Sequence, residues 1–160
     1  MKSKSPFKIR LSVEELELSA EVTNVSKVEQ YFLENQLLQP SLLKLSDALG
    51  KQVKFNDLRP EISINWLKPR DEYKKLKPGE SRIFHKLLLS KNESSSYHVN
   101  WYPFDANLAP GTYRGMVEWS SKADRWEEFD THNEMQRING KMKGVWLGKV
   151  CSNSAELVLE

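Results

Sequence analysis

Apolar and polar residues alternate along several short runs of this chain. In the first two runs the apolar side chains occupy every second position: Phe7, Ile9, Leu11 and Val13, then Leu16, Leu18, Ala20 and Val22. Successive side chains of a β-strand point to opposite faces, so each run has one apolar and one polar face. The pattern predicts antiparallel strands with one face in a core and the other in water.

Further strands are predicted along the rest of the chain. Between 31 and 41 the leucines would suit a short helix, but Pro40 interrupts the run, so we expect a loop there. Turn residues at 24–27 and 47–50 separate the runs. The remaining predicted strand segments are 41–46, Val53 with Phe55, a run of Ile62, Ile64 and Trp66 between two prolines, 83–89, 116–119, 145–150 and 155–159.

Two Pro-Gly pairs, Pro78-Gly79 and Pro110-Gly111, each precede an apolar run. Proline presets the φ angle and glycine supplies the positive φ of a type II turn, so each pair predicts a reversal that leads into a strand. Tyr113 follows the second pair, where immunoglobulin-like sandwiches carry a tyrosine whose hydroxyl bonds to upstream backbone. We expect Tyr113, Gly115, Val117 and Trp119 to share an inward face.

The segment 120–144 is polar and charged, and its apolar residues do not fall on one helical face. Asn139-Gly140 is the common pair of a type I′ turn, which predicts a hairpin tip at 137–142. The sequence therefore predicts an all-β protein: one immunoglobulin-like antiparallel β-sandwich domain over residues 1–160, with about seven to nine strands and an insertion at about 120–144.

Charge and composition narrow the function classes. The formal net charge is +2, without the basic clusters typical of a nucleic-acid binder. No apolar stretch approaches the ~20 residues of a membrane-spanning helix, and the N-terminus lacks the apolar core of a signal peptide. We expect a cytoplasmic protein, or a secreted or periplasmic one if a signal peptide has been removed. The single cysteine, Cys151, is expected to be a small buried apolar residue.

No residue or motif in the sequence clearly indicates catalysis. The histidines His85, His98 and His132 do not pair with one another or with Cys151 at metal-ligand spacing. Nucleophile and phosphate-binding motifs are absent, and the acidic run 127–130 is typical of a solvated loop. We expect no catalytic residue, no metal site and no cofactor. His85 is expected to be packed, and the other two histidines exposed.

The aromatic residues are the candidate binding residues. Trp66, Trp119 and Trp146 lie in strand-like runs and are expected in the core. Adjacent aromatics cannot all face inward on one strand, so Trp101 or Tyr102 should point outward. The candidate binding set is Trp101, Tyr102, Phe104, Trp126 and Phe129. The alternative for Trp126 and Phe129 is that they pin the insertion onto the sandwich.

The order of three motifs and a closing pair resembles a family type. The motifs are Val22-Thr23-Asn24-Val25-Ser26, Leu76-Lys77-Pro78-Gly79-Glu80-Ser81 and Leu108-Ala109-Pro110-Gly111-Thr112-Tyr113, followed by Ser152-Asn153 before a last apolar strand. This order resembles the immunoglobulin-like domains of the bacterial intracellular proteinase inhibitor family. It is also similar to the β-sandwich domain of deuterolysin-type metalloproteases. The resemblance covers about residues 15–160 in outline, and no inhibitory loop of the family matches here.

The resemblance implies a non-catalytic domain that binds another protein, with a proteinase as one such partner. The alternatives are a carbohydrate-binding sandwich, with Asn100, Trp101 and Tyr102 as the first contacts, and a structural accessory domain. An ordered, projecting insertion with an apolar tip would favour a protein partner. A coplanar pair of exposed aromatic rings would favour a sugar.

Overall fold

The computed structural model describes residues 4–35, 39–60 and 68–160, and these residues form an all-β protein. The predicted strand with Ile62, Ile64 and Trp66 lies outside the described residues. One 3₁₀ turn, Arg70–Glu72, precedes the sixth strand. The strands are β1 Phe7–Glu14, β2 Glu17–Asn24, β3 Gln30–Leu33, β4 Leu42–Ser46, β5 Asn56–Asp57, β6 Tyr73–Leu76, β7 Ser81–Leu88, β8 Ser90–Lys91, β9 Tyr97–Trp101, β10 Phe104–Leu108, β11 Gly111–Ser121, β12 Arg125–Asp130, β13 Gln136–Lys141, β14 Gly148–Cys151 and β15 Ala155–Leu159.

The described strands pair antiparallel in three larger sheets and two isolated pairs. One sheet has the order β1-β2-β7, and a second has the order β5-β10-β9-β8. In the third sheet, β11 pairs with β14 and β15 along one edge and with β4 along the other. The pairs β3-β6 and β12-β13 complete the set. The described residues form fifteen strands, more than the predicted seven to nine, because β5 and β8 have only two residues each and because β3, β6, β9 and β10 form where no strand was predicted.

The alternation at the N-terminus is confirmed. Ile9 lies opposite Val22 and Leu11 lies opposite Ala20, and all four side chains are buried. The aromatic rings of Phe7, Phe32 and Trp119 meet edge to face in the same core, with centroids 5.6–6.3 Å apart. The core therefore lies between the β1-β2-β7 sheet and the sheet built on β11.

Strand β11 is the centre of its sheet, and its inward face is the predicted one. Tyr113, Gly115, Val117 and Trp119 are all buried. The Tyr113 hydroxyl donates a hydrogen bond of 2.8 Å to the Ala109 carbonyl oxygen, so the predicted tyrosine corner is present.

The pair Ser152-Asn153 joins the two sides of the core. The Ser152 hydroxyl oxygen accepts a hydrogen bond of 2.8 Å from the Val117 amide. The Asn153 side chain pairs with both backbone groups of Leu11, at 2.9 and 3.0 Å. A short polar motif thus supplies backbone partners to strands of two different sheets.

The two Pro-Gly pairs turn the chain in different ways. At Pro78-Gly79 the Glu80 amide donates to the Lys77 carbonyl oxygen at 3.0 Å, and Gly79 has φ +79°, as a type II turn requires. The type II prediction is wrong for Pro110-Gly111, because Gly111 has φ +154° and already begins β11. The chain there passes from the β5-β10-β9-β8 sheet to another sheet, so a tight hairpin turn is not needed.

Three further predictions are corrected. The loop expected after Tyr31 contains β3, which pairs with β6 through contacts that lie far apart in sequence. The closing strand predicted at 145–150 begins at Gly148, while Trp146 is half-buried against the core. Cys151 is exposed rather than buried, because it lies on the edge strand β14 with its side chain on the outer face.

Within the part of the chain that the structure describes, no helix is long and apolar enough to cross a membrane.

Candidate functional site

The predicted insertion contains a two-stranded antiparallel hairpin, β12-β13, which we call the insertion hairpin (residues 125–141). Its strands pair in register from Arg125 opposite Lys141 to Asp130 opposite Gln136. The tip is formed by residues 131–135 and not by 137–142, so the predicted position of the tip is wrong. Glu134 and Met135 take the positive φ angles that the reversal needs, and Asn139-Gly140 lies inside β13.

Gly140 is used for packing rather than for turning. It lies directly opposite Trp126 in the register. A Cβ atom at Gly140 would meet three atoms of the Trp126 ring at 2.8 Å. The ring therefore covers the glycine backbone, and this arrangement explains why the strongest local turn signal in the segment does not form a turn.

The base of the insertion hairpin is fixed to the segment 68–73. The Tyr73 hydroxyl donates to the Arg125 carbonyl oxygen at 2.7 Å, and the Glu127 amide donates to the Lys68 carbonyl oxygen at 2.8 Å. Burial, with the nearby Asp124 carboxylate, raises the pKa of Tyr73 to about 12, so its hydroxyl keeps its proton. These two hydrogen bonds hold the base of the insertion, and both acceptors are backbone carbonyl oxygens.

The two aromatic residues of the insertion have different surroundings. Trp126 is half-buried, and the Arg70 guanidinium carbon lies 5.9 Å from the centroid of its ring. Phe129 is 46% exposed on the opposite face of the hairpin. Trp126 therefore contacts the segment 68–73, as the pinning alternative expects, whereas the Phe129 ring is exposed.

Three exposed apolar side chains lie at or near the tip of the insertion hairpin. Met135 in the tip is 55% exposed. Phe129 lies in the second residue pair from the end of the ladder and Ile138 in the third, so their side chains point to opposite faces of the hairpin. Ile138 is 37% exposed. We call Phe129, Met135 and Ile138 the apolar tip. Charged residues flank it, including an ion pair of 2.9 Å between Arg137 and Glu127.

The candidate residues on β9 and β10 are not all at the surface. Trp101 is fully buried: its indole N–H donates to the Ser41 hydroxyl at 3.1 Å and its ring stacks on His85. Tyr102 is 44% exposed, so of these two neighbours Tyr102 is the one that points outward. Phe104 is half-buried, with the Arg59 guanidinium 5.4 Å from its ring centroid. Trp101 and Tyr102 therefore do not form the pair of exposed coplanar rings expected of a sugar-stacking platform.

The histidines lie in three separate environments. His85 is buried, as predicted, and burial lowers its pKa to about 4. His98 is half-exposed, and its Nε2 lies 3.1 Å from an oxygen of Asp105, while His132 is exposed. Among the described residues no three His, Cys, Asp or Glu side chains are grouped so as to hold a metal ion.

Sequence reasoning missed two contributors to the site. Tyr73 and Lys68 hold the base of the hairpin, but they lie more than fifty residues from their partners and carry no local motif.

Comparison of the chain with protein-family models, with curated proteins and with solved structures finds no match.

Proposed function

We propose that the protein is a non-catalytic binding module that presents the insertion hairpin to a protein partner. The observation that supports this most directly is the apolar tip, where three large side chains are exposed on an ordered hairpin. Large apolar side chains that bury much area at a small entropy cost are favoured anchors of protein interfaces.

The way the hairpin is attached supports the same function. Its base is held by the Tyr73 hydroxyl and the Lys68 carbonyl, while the hydrogen bonds of the tip among the described residues run within the hairpin itself. A binding loop that is ordered before it meets its partner loses less conformational entropy on association. The all-β framework, which we interpret as an immunoglobulin-like sandwich, would act as the rigid support.

The charge distribution agrees with a protein partner. Glu127 and Arg137 pair with each other on the Phe129 face of the hairpin, so charged groups of both signs lie beside that exposed ring. Protein interfaces commonly have such a polar rim around an apolar core. The resemblance to the intracellular proteinase inhibitor family suggests a proteinase as the partner within this class.

The proposal is tested by partner capture with two matched variants. The double variant Phe129→Ser/Met135→Ser removes two members of the apolar tip. The control, Ile83→Ser/Val158→Ser, removes two apolar side chains that are each 51% exposed, elsewhere on the sheets. Wild type and control should recover the same protein from cells that make this chain, and the tip variant should lose it. Equal recovery by all three would contradict the proposal.

Proteinase inhibition is tested separately with purified subtilisin, trypsin and thermolysin. Stoichiometric inhibition of one of them by wild type, lost in the tip variant and kept in the control, would identify the class of partner. Binding of a non-proteinase through the tip would leave the general proposal intact and remove the inhibitor interpretation.

A further inference from the structure

The outer face of the β5-β10-β9-β8 sheet carries a continuous group of small polar side chains, which we call the amide face. In an antiparallel pair, directly opposed residues lie on the same side of the sheet. Asp105 is opposed by Asn100 on β9 and by Asn56 on β5, and His98 is opposed by Ser90 on β8 and by Asn107 on β10. The six residues therefore form two parallel rows: Asn56, Asp105 and Asn100, then Asn107, His98 and Ser90.

Hydrogen bonds link the two rows through Asp105. One carboxylate oxygen accepts from the Asn56 amide nitrogen at 3.0 Å, and the other lies 3.1 Å from the His98 Nε2. Because a carboxylate can only accept, His98 donates from Nε2. The hydrogen bond from Asn56 has the largest effect on the pKa of Asp105, and the bond from His98 has the next largest. Both lower that pKa, so the carboxylate stays ionised and fixes its two neighbours. Asn100, Asn107 and Ser90 remain exposed.

The composition of the amide face differs from that of an ordinary solvated sheet face in the same molecule. The outer face of the β1-β2-β7 sheet carries Lys8, Arg10, Glu17, Glu21 and Lys86, the long charged side chains usual at a wet surface. The six positions of the amide face hold neither Lys, Arg nor Glu. Asparagine and aspartate are also depleted in β-strands, so four of them on one face run against local propensity. Such a violation is expected where function decides the residue.

The chemistry of the face points to a neutral, hydroxyl-rich ligand. Each asparagine offers an N–H donor and a carbonyl acceptor in one plane, and sugar hydroxyls are both donors and acceptors. Within the six residues there is no cation to attract a phosphate and no large apolar side chain to anchor a protein. Tyr102 follows Asn100 by two residues and is 44% exposed at the end of the same hairpin, where a sugar ring can stack on it.

We propose that the amide face binds a neutral oligosaccharide. Each row crosses three strands, about 10 Å at the spacing of adjacent strands, which matches the length of a disaccharide. In this arrangement Asn100 and Asn107 each give a donor and an acceptor to ring hydroxyls, and Asp105 accepts from a hydroxyl while holding Asn56 and His98 in place. The ionised Asp105 disfavours anionic sugars.

The experiment is an NMR titration of the protein, with its amide resonances assigned, against cellohexaose, maltohexaose, mannohexaose and chitohexaose at millimolar concentrations, and against a heparin hexasaccharide. At least one neutral sugar should shift resonances of β9 and β10, and heparin should not. The variant Asn100→Ala/Asn107→Ala should bind that sugar about tenfold more weakly, equivalent to about 1.4 kcal/mol.

The matched control is Asn139→Ala, which replaces an exposed strand asparagine outside the amide face and should leave sugar affinity unchanged. The amide spectrum of each variant reports folding directly. The proposal is overturned if none of the four neutral sugars shifts β9 or β10, if the shifts map elsewhere, or if the double variant binds like wild type. None of these outcomes affects the protein-binding function of the apolar tip, which lies on a different sheet.

Discussion

The His85 ring stacks on the Trp101 ring, with centroids 3.8 Å apart and planes at 17°. Both side chains are buried, and among the described residues the Nδ1 atom of His85 has no hydrogen-bond partner. A proton added to this imidazole would place a positive charge in the core without an acceptor, and for this reason its pKa falls to about 4.

We predict that this stack makes the protein sensitive to mild acid. In the unfolded chain a histidine takes up its proton near pH 6.5, whereas folded His85 does so near 4. The unfolded state therefore binds more protons between these values, and the free energy of unfolding should fall as pH drops from 6.5 to 4, by at most about 3 kcal/mol. Urea unfolding across this range measures the slope. His85→Phe keeps an aromatic stack and should flatten the slope, whereas His132→Gln should leave it unchanged. A His85→Phe variant with the wild-type slope would rule out this origin.

A second acid-sensitive group is Glu118, which lies between Lys44 and Lys149 at 2.7 and 2.9 Å. Hydrogen bonds from these two lysines lower its pKa, so its stabilisation is present above the unfolded pKa and is lost as pH falls through the folded one. Because both lysines are substantially exposed, we expect Glu118→Gln to cost about 1 kcal/mol at neutral pH. Glu17→Gln, which breaks an exposed pair with Lys86 at 3.4 Å, should cost much less. Equal costs for the two variants in urea unfolding would contradict the role of Glu118.

The tyrosine corner should have a measurable effect on stability. Tyr113→Phe removes the hydroxyl that bonds to the Ala109 carbonyl and leaves that acceptor without its partner. We expect a loss of about 1 kcal/mol in the free energy of unfolding. Tyr102→Phe removes the hydroxyl of an exposed ring and should change stability by less than about 0.5 kcal/mol. If the two variants are equally stable, the corner bond makes no net contribution.

The contact between Gly140 and Trp126 predicts a coupled pair of substitutions. Gly140→Ala places a Cβ atom against the indole ring and should displace the ring, which loosens the insertion hairpin by about 1 kcal/mol. Hydrogen exchange of the β12 and β13 amides measures this opening. In a Trp126→Ala background the same change should cost almost nothing, because the ring is gone. Additive costs in the two backgrounds would show that ring contact is not the cause.

The sheets were predictable from the sequence to the extent that local alternation determines them. Ile9 and Val22 face the core because each has polar neighbours on both sides, and Tyr113 follows a turn that places it at a strand start. The same alternation would have placed Trp101 inside, since it shares a face with Tyr97 and Val99. The rest depends on partners distant in the chain. Strand β3 forms through its pairing with β6, and no local signal marks Tyr73 as the tether of the insertion.

The tip of the insertion shows why a turn motif can mislead. Asn139-Gly140 has the residues of a type I′ turn, yet the chain reverses earlier, at residues 131–135. Glycine is required at position 140 because the Trp126 ring of the opposite strand lies over it. The Asn-Gly motif alone gives no sign of this contact. The amide face could not be predicted from the sequence either, because its two rows form only when β5, β10, β9 and β8 lie side by side.

The anchorage of the insertion hairpin depends largely on main-chain atoms. The bonds to the segment 68–73 use the carbonyl oxygens of Lys68 and Arg125 as acceptors, and a further backbone bond, from the Met142 amide to the Asp124 carbonyl oxygen, joins the two ends of the insertion. Residues 129–138 can consequently be replaced without removing these attachments, so the residues of the proposed binding tip and those that attach the hairpin lie in separate parts of the chain. A library randomised over that stretch would turn this framework into a scaffold for selecting new binding proteins.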